Sequence, residues 1–555
     1  MTIYLDYAAT TPVDPRVAKA MTACLTDPES QANPASATHG PGLAALARVE
    51  DARAQVAALI GAAPREIIFT SGATEANNLA LLGVAAAARR AWREKNRLAR
   101  HEGAAARGHF LSSRVEHKSV LDPLKQLERE GFDVTLLEPD QWGRVPPEAV
   151  RAALRDDTLL VSLMLVHNEV GVLNDLAAIA RLAAERGVLV HTDASQAVGK
   201  LPVDVGRLGV DFLSLTAHKF YGPKGIGALY VREAARPRIG AIQFGGGHER
   251  GLRSGTLPTH QIVGFGVAAS LAREAGDGDA AHARDLAARL WSVLEGLPGI
   301  EYNGRRGEGV PGLLNVSFPG VEGESLVASL PDIAVSTGSA CSSATREPSY
   351  VLRALGRDAE LAQSSLRVSL GRFTTAADVD VAATAIRSQV GRLRRLAGDP
   401  DAGNEPSASD SQPAPGSLLE TTLNPVTRRY FLGAARPPEF PQGGAPADVR
   451  QGRAGRQADG VQVLFELRIV GDKTPGGIVK SARFSVYGCP HTVAVTAWAC
   501  EVLEGRRLDA GIPGGPAEWA EMFEVPAEKL GRLLIVEDAL REAFRAPASP
   551  MPGRP

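Results

Sequence analysis

Short aliphatic and β-branched runs recur through the first half of the chain, separated by Ala- and Leu-rich stretches with helical spacing. REIIFT, HFLSS, VTLLEP, TLLVSLMLV, VLVHTD, DFLSLTAH and IGALYV each read as a buried strand. Strands alternating with helical stretches predict a parallel sheet covered by crossover helices, hence a large α/β domain over about 14–257. From about Thr256 the pattern turns helical. It then yields GLLNVSFPG, DIAVSTGSAC and SSLRVSLGRF, a smaller lobe over about 258–397 that also takes in the N-terminal segment.

Residues 398–417, GDPDAGNEPSASDSQPAPGS, offer almost nothing to bury and read as a disordered linker. A basic insert rich in Gly and Pro follows from Gly433 to Gly460. VQVLFELRIV and KSARFSVYG then alternate apolar and polar residues across GDKTPGG as a hairpin, and helical segments follow from Pro490. Residues 418–545 therefore read as a small α+β domain, and 546–555 as a disordered tail. No internal repeat points to a solenoid.

Composition narrows the class. The 555 residues, 44% hydrophobic and 22% charged, fit a soluble protein of two or three domains. A formal net charge of -2 gives no general attraction to nucleic acid or to an anionic membrane, and neither is an expected partner. Met1 runs into TIYLDYAATTP, with an early acidic residue and no long apolar stretch, so the expected compartment is the cytoplasm. Four cysteines, Cys24, Cys341, Cys489 and Cys500, are too few for a disulfide scaffold and read as buried or reactive thiols.

Candidate chemistry gathers around Lys219. FTSGATEANN passes from a strand through a Gly turn into a helix start at Thr74, where backbone N-H groups suit a phosphate; such turns are also common without one. Asp193 ends the strand VLVHTD, as a helix cap or as the carboxylate that keeps a pyridine nitrogen protonated. Lys219, after DFLSLTAH, is either a solvated charge or an amine that bonds a carbonyl cofactor. Together the three would suit pyridoxal 5'-phosphate.

YLDYAATTP, NPASATHGPG, FTSGATEANN, VEHKSVLD, HNEVG, HTDASQAVGK, TAHKFYGPKG, GGGHERGLRSGTLP, STGSACSSATREPSYVLRALG and SSLRVSLGRFTT follow one another from Tyr4 to about Arg395. In that order they resemble the cysteine desulfurases of the NifS/IscS class, in the class-V aminotransferase family. The resemblance implies a fold-type I pyridoxal-phosphate enzyme over 1–397, a homodimer that converts L-cysteine to L-alanine. By the same resemblance, sulfur would pass to a protein persulfide for iron-sulfur cluster assembly and on to acceptor or scaffold proteins.

By the same resemblance Lys219 would carry the cofactor, Asp193 would meet the pyridine nitrogen and Gln196 would approach the ring hydroxyl. His117 would stack on the ring and assist proton transfer. Ala73, Thr74, Thr216 and His218 would hold the phosphate, with Thr256 reaching it from a partner subunit. Asn168 and Arg367 would grip the substrate, and Cys341 would take its sulfur. Two departures, Thr216 for a common serine and HNEVG for a common NNEIG, keep the functional groups. Related readings are a lyase for another amino acid, such as selenocysteine, and a catalytically silent assembly platform.

LNPVTRRYF, FSVYGCPHTVAV, LEGRRLD and LLIVEDALREAF, over about 423–544, resemble an iron-sulfur scaffold of the NifU/IscU type. That family supplies three cysteines, and only Cys489 matches here. QADGV lacks the first thiol, and Gly531 and Arg532 stand where a His-Cys pair is expected. Cys489 with Asp459 or His491 would be an unusual ligand set, so no metal site is expected. Cys489, just before Pro490 at a helix start, reads as a sulfur acceptor activated by the helix dipole or as a packed thiol.

Overall fold

The structure, a computed structural model, describes residues 2–27, 31–99, 108–337, 348–399, 423–439, 448–471 and 476–545. Cys341, most of the linker expected at 398–417 and the tail 546–555 lie outside the described residues.

Its strands are β1 (Ile3–Tyr4), β2 (Ile67–Thr70), β3 (His109–Ser113), β4 (Asp133–Leu137), β5 (Thr158–Ser162), β6 (Leu189–Asp193), β7 (Phe212–Thr216), β8 (Gly227–Val231), β9 (Glu301–Tyr302), β10 (Leu313–Ser317), β11 (Ile333–Ala334), β12 (Ser365–Ser369), β13 (Val449–Arg456), β14 (Val461–Val470) and β15 (Ile478–Tyr487). The apolar runs of the first half pair into one sheet in the order β2-β8-β7-β6-β5-β3-β4. Strands β3 to β7 are parallel, but β8 runs antiparallel to both β7 and β2. That corrects the expectation of an all-parallel sheet. The Gly-rich segment 217–226 is too short to hold a crossover helix, so the chain doubles back.

Both faces of this sheet are covered, which is why its strands read as continuous apolar runs. Ile68, Phe110, Leu160, Leu189, Phe212 and Leu229 share a core with the helices Ala73–Ala99 and Lys118–Arg129. Residues of alternate parity, Ile67, Phe69, Leu111, Val161, Val190 and Leu213, share another with Gly40–Leu59 and Thr259–Leu294.

The smaller lobe carries the antiparallel sheet β12-β10-β9, and β1 returns to pair in parallel with β11. Its helix Ala376–Leu396 starts at a reciprocal cap between Thr375 and Asp378 and buries Val379, Ile386 and Val390.

Beyond the linker, β13, β14 and β15 form an antiparallel sheet backed by the helices Pro490–Leu503 and Leu530–Phe544. Strand β13 falls inside the stretch read from sequence as an irregular insert. Arg450, Arg453 and Arg456 hide its alternation. Gly452 is where it meets the last helix, since a Cβ there would come within 2.1 Å of the Ala539 carbonyl.

This domain packs on the smaller lobe, and Phe431, Phe465 and Phe484 share one apolar core with Phe318, Leu326 and Ile386. Polar contacts cross the junction as well. Ser325 Oγ donates to the Gly488 carbonyl at 2.6 Å, Lys529 pairs with Glu324, and Arg392 lies over the Phe431 ring.

Candidate active site

Asp193 is the last residue of β6 and Lys219 lies just beyond the C-terminal end of the neighbouring parallel strand β7, where open α/β sheets bind ligands. Lys219 closes a single tight turn, Ala217–Lys219, and Tyr221 follows at a φ of 68°. Its Nζ donates to the carbonyls of Ala8 and Ala9 at 2.6 and 2.7 Å, so the N-terminal YLDYAATTP segment forms one wall. Gln196 donates to the same Ala8 carbonyl at 2.8 Å.

Asp193 is buried and doubly used. One oxygen accepts from the Ser195 amide at 2.9 Å, a local cap, and the other accepts from Asn77 Nδ2 at 2.8 Å. Asn77 also donates to Ser119 Oγ at 2.8 Å, and Ser119 Oγ lies 2.8 Å from His117 Nδ1. His117 caps the helix Lys118–Arg129, with Nδ1 accepting from the Ser119 amide. Burial holds its pKa below the ordinary value, which keeps the ring neutral, and an acceptor role for Nδ1 puts the proton on Nε2. His117 is therefore a half-buried helix cap that also belongs to a polar chain ending at Asp193.

The proposed phosphate end is a turn packed flush against the sheet. Gly72 has a φ of 157°, and a Cβ on Gly227 would come within 2.7 Å of Gly72 Cα, so both positions require glycine. The turn opens into the long helix Ala73–Ala99, whose first N-H groups, at Ala73 and Thr74, have no acceptor within the helix. Thr216 donates to the Ile226 carbonyl at 3.1 Å. His218 bonds Thr10 through Nδ1 at 3.1 Å, and burial beside Lys219 lowers its pKa to about 4. These groups fit an anion, and buried Asn77 Oδ1 has no hydrogen-bond partner among the described residues.

Arg367, on β12, is 3% exposed. It donates through Nη1 to the Asn168 carbonyl and through Nη2 to Asp6, both at 2.9 Å. Its buried Nε has no partner among the described residues, a donor suited to a carboxylate. The structure thus joins Lys219, Asp193, Gln196, His117, His218, Asn168 and Arg367 around the N-terminal segment. Thr256 stands apart, exposed on a recess of about 370 Å³ that it shares with Cys24, Asn33 and His260.

Sequence reasoning missed several members of this network. Asn77 and Ser119 lie inside motifs already noted, but their partners are distant in sequence. Lys200 donates to Gln196 Oε1 at 2.6 Å, fixing its amide, and burial beside Lys219 and Arg367 brings the Lys200 pKa down to about 7. Glu116 and Glu169 are buried carboxyls next to His117 and Asn168. Burial raises the pKa of Glu116 well above the ordinary range and that of Glu169 to about 7.

In the C-terminal domain, Cys489 caps the helix Pro490–Leu503 and is buried, with Sγ 3.3 Å from Thr492 Oγ1. Burial alone would raise this thiol, yet Arg532 and Lys529 beside it bring the pKa below the ordinary value. Arg532, Lys529 and the hydrogen bond with Thr492 lower it. Arg532 also reaches Glu322 of the smaller lobe at 3.9 Å. Cys500 is packed in the same helix, and burial pushes its thiol far up. Among the described residues no group of three or more His, Cys, Asp or Glu is placed to hold a metal ion, and no helix is long and apolar enough to cross a membrane.

Comparison with known proteins fits this arrangement. The class-V aminotransferase family profile matches residues 3–381. Cysteine desulfurase IscS of Enterobacter sp. (strain 638) is 53% identical over 394 residues, 71% of this chain and 94% of that protein. IscS of Aeromonas salmonicida (strain A449) is 55% identical over the same shares of both chains. Among solved structures, a NifS-like protein is 36% identical with a TM-score of 0.62, covering 70% of this chain and 98% of its own. DndA from Streptomyces lividans is 39% identical with a TM-score of 0.54, covering 66% and 99%.

Proposed function

We infer that this chain, which belongs to the class-V aminotransferase family, is a cysteine desulfurase that takes sulfur from L-cysteine and leaves L-alanine. The observation that carries the reading is the gathering of Asp193 and Lys219, at the ends of β6 and β7, with Arg367 from the middle of β12 around the N-terminal segment, each buried or bonded and each with the chemistry the reaction needs. The groups fit pyridoxal 5'-phosphate: Lys219 to hold it, Asp193 for the ring nitrogen, Gln196 for the ring hydroxyl, and Ala73, Thr74, Thr216 and His218 for the phosphate. When bound, that cofactor supplies an electron sink for the charge left at the substrate Cα.

The chain's own groups do the rest. Arg367 takes the substrate carboxylate through Nε and its fork, with Asn168 and Asp6 holding the guanidinium in place. Lys219 Nζ would be the base at Cα, and neutral His117 offers a proton donor at Nε2. Cys341 thiolate forms an S–S bond with the substrate Sγ as the Cβ–Sγ bond breaks. The electron pair stays on Cβ, which takes up a proton as the methyl group of alanine, and the sulfur remains on Cys341 as a persulfide. An ordinary thiol, with a pKa of about 8.5, is mostly protonated at neutral pH, so this step needs a proton acceptor near Cys341.

The proposed setting is iron-sulfur cluster assembly by a homodimer, in which Thr256 of one copy completes the phosphate site of the other. Exposed Leu25 and Leu43 are apolar surface such a partner would cover. Residues 418–545 are proposed as a scaffold-like domain of the NifU/IscU type that receives sulfur at Cys489. Its lowered thiol pKa beside Arg532 and Lys529, and its place against the smaller lobe, support that role. Assaying alanine and sulfide from L-cysteine, with and without reductant, tests the activity. Lys219→Ala should abolish it, and full activity in that variant would exclude the assignment. Persulfide mapping after turnover tests the relay, and sulfur on Cys341 with none on Cys489 would end it.

A further inference from the structure

The turn proposed to take the cofactor phosphate follows β2, an edge strand of the large sheet. The outward backbone groups of an edge strand have no neighbouring strand to meet, and here side chains of the loop 248–255 and of the helix Gly40–Leu59 take that place. Glu249 accepts from the Phe69 amide at 2.6 Å, and Arg53 and Arg250 donate to the Ile67 carbonyl at 2.9 and 3.3 Å. Arg53 also grips Glu249 through both Nη atoms, at 2.7 and 2.8 Å, and both side chains are buried. The loop is closed on itself, since the Gly255 amide donates to His248 Nδ1 at 3.2 Å.

The same loop reaches the far side of the turn. Arg253 donates through Nε and Nη2 to Glu75 at 2.8 and 3.3 Å, and Glu75 accepts from the Ser71 amide at 2.7 Å. Glu75 lies in the first turn of the helix Ala73–Ala99, so its carboxylate folds back over the helix start. That is the same helix end read as the phosphate site, and an unpaired carboxylate there would occupy the positive end and repel a second anion. Arg253 cancels that charge. Burial alone would raise the Glu75 pKa, yet Arg253 and the Ser71 amide hold it below the ordinary value, so the pair stays ionised. Bringing Arg253 there takes an unusual backbone: Glu249 and Arg250 stand at φ of 49° and 58°, a left-handed bend that such residues rarely adopt and that gathers where a fold holds functional groups in place.

We propose that Arg253 is a positioning residue for the cofactor phosphate: it holds the Glu75 carboxylate on the Ser71 amide and neutralises it, leaving the amides of Ala73 and Thr74 to the phosphate. This rests on the reading of that turn as the phosphate site. Glu249 with Arg53 is the second hold, fixing β2 before the turn as Arg253 fixes the helix after it. Because Arg253 acts through Glu75 on the charge and shape of the turn, its effect falls on the phosphate and not on the ring of the cofactor.

The test compares two probes on the full-length protein after removal of its cofactor: pyridoxal 5'-phosphate, and pyridoxal, which has the same ring and aldehyde without the phosphate. Binding is followed by visible absorbance and by equilibrium dialysis. Arg253→Gln should weaken pyridoxal 5'-phosphate binding by roughly ten-fold or more, the scale of one uncompensated charge near a protein surface, with pyridoxal affinity unchanged. Adding Glu75→Gln to Arg253→Gln removes that charge while keeping an acceptor for the Ser71 amide, and should restore most of the affinity. Parental affinity in Arg253→Gln would overturn the proposal. So would an equal loss for both probes, the mark of general damage, or a double variant no better than the single one. A parent that binds both probes equally would instead overturn the reading of the turn as a phosphate site, and this proposal with it.

Discussion

Replacing Arg367 by Lys tests the substrate clamp with charge held constant. In the structure the guanidinium divides its donors: Nη1 to the Asn168 carbonyl, Nη2 to Asp6, and Nε to no partner among the described residues. A lysine ammonium is a single point. It can neutralise Asp6 or meet a substrate carboxylate, but it cannot hold Asn168 and Asp6 while presenting a two-pronged face. The loss is at least one charge-assisted hydrogen bond, about 2 kcal/mol, equivalent to roughly a 30-fold rise in KM for L-cysteine. Steady-state alanine formation gives KM and kcat, and the visible absorbance of the bound cofactor serves as the control that the pocket is intact. An unchanged KM with full cofactor absorbance would refute the assignment of Arg367 to the substrate carboxylate.

Other expectations follow from particular contacts. Asn77→Leu removes the donor that links Asp193 to Ser119 and His117 and leaves their acceptors buried, so cofactor affinity should fall by roughly ten-fold or more in equilibrium dialysis. Burial raises the Glu169 pKa to about 7, so the folded state binds the extra proton between the unfolded value near 4.5 and 7, and its contribution to stability is lost as pH rises through that window. Thermal melts of Glu169→Gln against the parent should therefore favour the variant more at pH 8 than at pH 5, and a pH-independent difference would contradict the burial argument. Arg532→Gln should raise the Cys489 pKa and slow its alkylation at neutral pH by mass spectrometry, with packed Cys500 unreactive in both proteins. Trp519, fully buried in the C-terminal domain, should cost about 3–5 kcal/mol when cut to Ala, seen as an early unfolding phase of that domain in denaturant.

Most strands of the large sheet were legible because they are buried on both faces and so appear as apolar runs, while the edge strand β4 is only half-buried. The direction of β8 was not, since period and hydrophobicity are the same for either direction. Strand β13 escaped notice because Gly452 and its arginines are explained only by the helix that lies across it. At the site, Lys219, Asp193, His117 and Arg367 announced themselves through motifs. What those motifs do not contain is who orients whom: Asn77 meets Asp193 across 116 positions, and Ser349 meets Glu169 across 180. The pairing of Arg532 with Cys489 was likewise invisible, although the sequence had already shown an arginine where a thiol was expected.

Quenched-flow mass spectrometry of the cofactor-loaded enzyme mixed with L-cysteine, scoring alanine and the sulfur carried on each cysteine, addresses the central claim most directly. The account predicts one sulfur atom on Cys341 appearing in step with the first equivalent of alanine, and neither product in Lys219→Ala. Alanine formed at the same rate in Cys341→Ser, or sulfide released with no sulfur ever bound to Cys341, would contradict it.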